Sequence, residues 1–156
     1  MTTRRNTYEV SYARIEALLK RPLVDLEFED VIRLRAPGFM DLVVEVLLPC
    51  HETGATVISM AHYFTQNGDL CQDPEMTVRL FHPGSTVFRV MTPSSGSQHG
   101  RAEALTFEQA IPPVYQVIYP EPGRYLPRLR RDLNAFLGQW LRNLAAQGHR
   151  PADAQG

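Results

Sequence analysis

The spacing of apolar positions changes twice along the chain, and the changes mark its elements. Tyr8, Tyr12, Ile15 and Leu19 recur at helical intervals, which predicts a helix over 7–21. Asn6 stands where an N-cap belongs, Glu9 follows at the capping-box distance, and Pro22 stops the helix. From Val31 the period falls to two. Alternation over 31–36, the turn pair Pro37-Gly38 and a longer alternating run over 39–48 predict two strands. In the second of these, Met40, Leu42, Val44, Val46 and Leu48 share one side, while Asp41 and Glu45 take the other. A third run, over 56–66, leads into Asn67-Gly68, the strongest short turn signal of the chain. Runs over 75–82 and 85–92 flank Pro83-Gly84 and predict a hairpin, and 114–119 adds a sixth strand before Pro120-Glu121-Pro122-Gly123. Helical spacing then returns in Leu126, Leu129, Leu133, Phe136, Leu137, Trp140, Leu141 and Leu144, closed by Gly148.

A helix, five to six antiparallel strands and a second helix predict an α+β fold in two layers, because one sheet face must be covered and two amphipathic helices are available to cover it. The expected organisation is a single domain over 1–156, ordered over about 7–147. The low-complexity stretch PSSGSQHG is expected to make 93–103 a mobile loop, and 149–156 a disordered tail.

Several segments carry a resemblance. Residues 11–19, Ser-Tyr-Ala-Arg-Ile-Glu-Ala-Leu-Leu, resemble the N-terminal segment of the YqiB-like family, small bacterial proteins classed as a domain of unknown function. Residues 74–82 resemble its central strand, which ends in an aromatic followed by His. Residues 119–122 and 133–141 resemble its C-terminal signature. The chain differs from that family in the arginine-rich lead into the last helix, and residues 61–76 are more similar to small uncharacterised proteins carried on mobile elements. The resemblance implies a fold and no catalytic residues.

Composition narrows the picture. At 156 residues and 44% hydrophobic, the chain has the size and apolar content for a buried core. Sixteen basic residues against seventeen acidic ones give a net charge of −1, which counts against a general nucleic-acid binder. All the basic residues except Lys20 are Arg, a side chain suited to bidentate anion contacts. The longest apolar run is broken by Glu45 and the first six residues have no apolar stretch, so neither a membrane span nor a secretory signal is expected. Two cysteines, Cys50 and Cys71, make no disulfide framework, and a reduced, cytoplasmic protein is the expectation.

Two polar groups are candidates for chemistry. His62, Asn67, Asp69, Asp73 and Glu75 would approach one another if the strands over 56–66 and 75–82 pair, and carboxylates with an imidazole suit a divalent metal. The spacing fits neither a zinc-protease helix nor a calcium loop, and turn chemistry accounts for most of these residues, so no metal and no cofactor are assigned. His62 alternates with Ile58 and Met60, which points it into the core, where a bond to a backbone carbonyl is the ordinary outcome. Cys50 and His51 are neighbours that face opposite ways, and the serines of 94–97 lack a strained nucleophile turn, so no catalytic residue is assigned. The second group is Arg124, Arg128 and Arg131, which share a helix face if the last helix begins by residue 123; Arg130 lies off it. Cations at a helix N-terminus oppose the macrodipole, which an anion would relieve, and Tyr119 and Tyr125 stand close enough to stack on a base.

The leading reading is a non-enzymatic interaction module that binds a protein partner or a second copy of itself, using a second sheet face that carries Val43, Phe81 and Phe88. One alternative is an enzyme or metal-binding protein built on His62, Asp69, Asp73 and Glu75. The other is an anion or nucleic-acid binder using Arg124, Arg128 and Arg131.

Overall fold

The computed structural model describes residues 5–66, 68–84 and 99–152, with side chains except those of 64–66 and 69–73. Helix α1, Thr7–Leu19, opens on the expected capping box. The Asn6 side chain accepts the Glu9 amide at 2.9 Å and the Glu9 carboxylate accepts the Asn6 amide at 2.9 Å. The helix ends two residues before the expected boundary, because Lys20 turns into the left-handed region at φ 57°. A short 3-10 turn, Leu23–Asp25, leads to the sheet.

Among the described residues seven strands follow one another antiparallel: β1 (Val31–Arg35), β2 (Leu42–Val46), β3 (Thr56–Gln66), β4 (Asp69–Phe81), β5 (Arg101–Gln109), β6 (Val114–Val117) and, after helix α2 (Pro127–Gln147), β7 (Arg150–Pro151). The order β6-β5-β4-β3-β2-β1-β7 is a meander to which the last strand adds itself at the far edge. The architecture is α+β as expected, with seven strands in place of five or six. Two strands account for the difference. β5 has only Ala102 and Ala104 as its buried apolar positions, too small to produce a visible alternation. β7 arises where a tail was expected, because His149 is buried and Arg150 and Pro151 pair with Arg35 and Leu34. Likewise residues 101–103 of the expected loop belong to β5. The strand expected over 85–92 lies outside the described residues.

β3 and β4 form the longest hairpin. Gln66 pairs with Asp69, and Gly68 takes φ 85° in the tight connection, so β4 begins six residues earlier than the 75–82 run implied. Side chains alternate across the sheet. Ile32, Leu34, Leu42, Val44, Val46, Ile58, Met60, Met76, Val78 and Leu80 face the helices, where Tyr12, Ile15, Leu18 and Leu19 of α1 meet Leu133, Leu137, Leu141 and Leu144 of α2. β2 is shorter than the alternation suggested, and Met40 and Leu48 at its flanks are exposed. On the other face Val43 and Phe81 are buried, 8% and 2% exposed, and so are not the open surface expected of them; Phe88 lies outside the described residues. No helix among the described residues is long and apolar enough to cross a membrane.

Two buried hydrogen-bond clusters pin the helices to the sheet. The Trp140 indole N–H donates to His62 Nε2 at 3.3 Å, and His62 Nδ1–H donates to the Asp41 carbonyl at 2.9 Å. Indoles only donate and carbonyls only accept, which fixes the imidazole tautomer. His149 stacks beside it, 5.8 Å between ring centres, and donates from Nε2 to the Met40 carbonyl. On α1, the Tyr12 hydroxyl lies 2.8 Å from His82 Nδ1, and His82 Nε2 lies 2.9 Å from the Thr56 hydroxyl. Gly100 packs flat against the Tyr12 ring, leaving no room for a Cβ.

Trp140, 6% exposed, fills the α2–sheet interface, so Trp140→Ala should destabilise by about 3–5 kcal/mol in urea unfolding. Trp140→Phe, which loses the bond to His62 and less volume, should fall between the two proteins. Burial holds His82 below the ordinary imidazole range, with Glu16 acting against it. The unfolded chain then binds more protons between the two values, so this contribution is complete above about pH 6.5 and is lost as pH falls toward the folded value. Stability measured from about pH 7.5 down to about pH 5 should therefore decline less steeply in His82→Asn than in the unsubstituted protein. Equal slopes would show that His82 is not the group responsible.

Candidate functional site

Among the described residues β6 pairs with the Thr106–Gln109 half of β5 and ends before its first half. A side chain of α2 meets the backbone there. Asn134 of α2 accepts the Ala104 amide at 2.9 Å and donates to the Arg130 carbonyl one turn back at 2.7 Å. This contact holds the first turns of α2 against β5, and Glu103 sits at that junction, 2% exposed.

Glu103 is held by three side chains. Arg79, its cross-strand neighbour on β4, donates from Nε at 2.9 Å and brings Nη2 to 2.7 Å as an ion contact without hydrogen-bond alignment. Arg130 Nη2 donates to the other carboxylate oxygen at 3.1 Å, and the Tyr119 hydroxyl donates at 3.2 Å. Burial opposes the Glu103 charge, but Arg79 first and Arg130 second hold its carboxyl below the usual range. Burial likewise opposes the Arg79 charge, and Glu103 outweighs it. Burial and the neighbouring Glu103 push the Tyr119 hydroxyl up. Cys50, a free thiol half-buried in the 47–55 loop, borders the same group. Burial would raise it, yet hydrogen bonds with Thr53, the Glu52 backbone and Arg79 bring it below the ordinary thiol value.

Tyrosine rings enclose the guanidinium groups. Arg79 lies over Tyr119 at 4.4 Å, Arg101 over Tyr8 at 4.7 Å, and Arg130 over both Tyr8 and Tyr125 at 5.2 Å. Outside this stack a cleft of about 420 Å³ opens between the first turns of the two helices. Tyr8 and Tyr125 form its walls, Arg130, Arg131 and Asn134 bring polar groups, and none of the described residues lining it is acidic. α2 starts there with Pro127 and no side-chain cap.

The sequence-derived candidates fare unequally. His62 and Glu75 do not converge. Glu75 pairs with Ala61, so it lies on the face opposite His62, which points into the core toward Trp140. Asn67 and the side chains of Asp69 and Asp73 lie outside the description. Among the described residues no three His, Cys, Asp or Glu side chains are grouped to hold a metal ion. Arg124, Arg128 and Arg131 do not share a helix face, because α2 begins at Pro127. Arg124 instead precedes the helix in a bridge with Glu121, and Arg128 is exposed on the first turn. Arg131 lines the cleft together with Arg130, which its helical spacing from Arg128 and Arg131 had set off the expected face. Arg79, Glu103 and Tyr8 gave no functional signal in the sequence. An Arg between Val78 and Leu80 and a Glu between Ala102 and Ala104, on strands that pair, is the pattern by which they are recognised.

Removing the Glu103 charge leaves Arg79 buried without a counterion. Glu103→Gln should therefore destabilise by about 3–5 kcal/mol in urea unfolding, and adding Arg79→Met should recover part of the loss. A double variant no more stable than the single one would mean that the two residues do not act as a pair.

No curated protein and no solved structure matches the chain. One family model does, over residues 13–150, a span containing Arg79, Glu103, Tyr119, Arg130 and Arg131. That family is a domain of unknown function, the class the resemblance implied, and no match ties the chain to the YqiB-like group or to mobile-element proteins. The chain belongs to the family described as domain of unknown function DUF6908.

Proposed function

We propose that this chain is a non-enzymatic binding module that receives an anionic group in the cleft between the first turns of α1 and α2. The observation that carries this reading is the charge imbalance of the cleft, which presents two guanidinium groups and, among the described residues, no carboxylate on its lining. Arg130 is braced from behind by Glu103 and flanked by two tyrosine rings, so little conformational freedom is lost when it meets a ligand. Arg131 is free to swing, since its contact with Asp132, at 3.6 Å between two exposed side chains, is weak in water. Arginine forks match carboxylate and phosphate oxygens, and the uncapped start of α2 adds a favourable field.

A second reading, contact with a protein partner or a second copy, is supported on the opposite sheet face. There a groove of about 610 Å³ is lined by Val31, Met40, Val43 and Tyr63 beside Arg33, Asp41 and Glu45, and Val31 and Met40 are exposed.

Inorganic phosphate tests the first reading. Titrated at low ionic strength, it should shift the backbone amide resonances of residues around Tyr8, Tyr125 and Arg131 in a saturable way. Arg131→Ala should weaken the apparent affinity by about three- to tenfold, the value of one exposed charge-assisted contact. Uniform, non-saturating shifts up to about 50 mM phosphate would exclude the cleft as an anion site.

A further inference from the structure

We propose that the ligand of the cleft is a free nucleoside monophosphate, its phosphate between Arg130 and Arg131 and its base on the ring of Tyr125. The inference rests on the anion reading above and adds the second half of the ligand. A site for a bare anion needs only charge, but this one joins charge to apolar surface. Tyr125 is 46% exposed, and Pro127 and Ala135 continue the same lining. Tyr125 already leans on Tyr119 at 6.1 Å and on Arg130 at 5.2 Å, so its ring is held in place while much of its surface stays open. A base stacked on a fixed tyrosine gains without fixing the ring first. Tyr8, by contrast, lies between Arg101 and Arg130, which leaves it as a wall and not as a platform. The cleft volume, about 420 Å³, falls within the range of small-molecule sites. The net charge of −1 and the confinement of the charged pair to one cleft favour a single nucleotide over a long strand, which draws its affinity from many phosphate contacts.

Calorimetric titration of the full chain with adenosine monophosphate, ribose 5-phosphate and a short oligodeoxyadenylate at equal low salt tests the assignment. Adenosine monophosphate should bind about tenfold more tightly than ribose 5-phosphate, the increment of one base stack. Tyr125→Ala should remove that increment and leave ribose 5-phosphate within about twofold of its original affinity, whereas Tyr125→Phe should retain it. Equal binding of the two phosphates by the unsubstituted protein would overturn the nucleotide assignment while leaving the anion site standing. Failure of both to bind at millimolar concentration would overturn the anion site as well. An oligonucleotide that binds far more tightly than the monophosphate would assign the cleft to single strands and overturn the free-nucleotide proposal.

Discussion

A carboxylate that is almost wholly shielded from water dictates the arrangement of everything near it. Glu103 is tolerable on β5 only because two guanidinium groups and a phenol meet it there, and each arrives from a different element. Arg79 comes across the sheet from β4, Tyr119 from the segment after β6, and Arg130 from α2. Satisfying one side chain thus fixes the position of a helix relative to a sheet edge. Arg130 in turn collects Tyr8 and Tyr125 around itself. The cleft is the surface consequence of that buried charge.

The helix layer is secured at several points by polar contacts, and hydrophobic burial supplies the rest. Asn134 accepts the backbone amide of Ala104 beyond the end of the β5–β6 pairing, a bond that ties α2 to the sheet. One to two turns on, Trp140 reaches His62, and beyond the helix His149 reaches the carbonyl of Met40. These bonds are directional, so they set the rotation of α2 about its axis, which an aliphatic stripe alone leaves loosely defined. That rotation decides which arginines face the cleft.

What the sequence discloses is the chemistry completed within a few residues. The capping box of Asn6 and Glu9, the Gly148 terminus, the β3–β4 turn and the leucine stripe of α2 are all local, and all are found in place. What it conceals depends on contacts between distant segments. Glu103 looks like a solvent residue until Arg79 and Arg130 are brought to it. Ala102 and Ala104 bury too little surface to announce a strand. Arg150 and Pro151 read as a tail because nothing near them reveals that His149 is anchored. The arginine cluster was visible as a cluster, but the start of α2 at Pro127 leaves Arg124 outside the helix, and the rotation of α2, set by contacts with distant strands, brings Arg130 and not Arg128 to the cleft. The inward orientation of His62 was legible, since strand parity sends it to the core, while its indole partner on α2 was not.

The meander also sets an order of events during synthesis. Each of β2 to β6 pairs with its predecessor, so the sheet can grow as the chain emerges, hairpin by hairpin. Helix α1 cannot follow that schedule. It leaves the ribosome before the strands, yet its apolar face packs against β5 and α2, made roughly a hundred residues later. Until then Ile15, Leu18 and Leu19 lack the cover those two elements give them. The nascent chain therefore carries a partly uncovered hydrophobic helix until α2 is made, which makes that helix a natural contact for a chaperone.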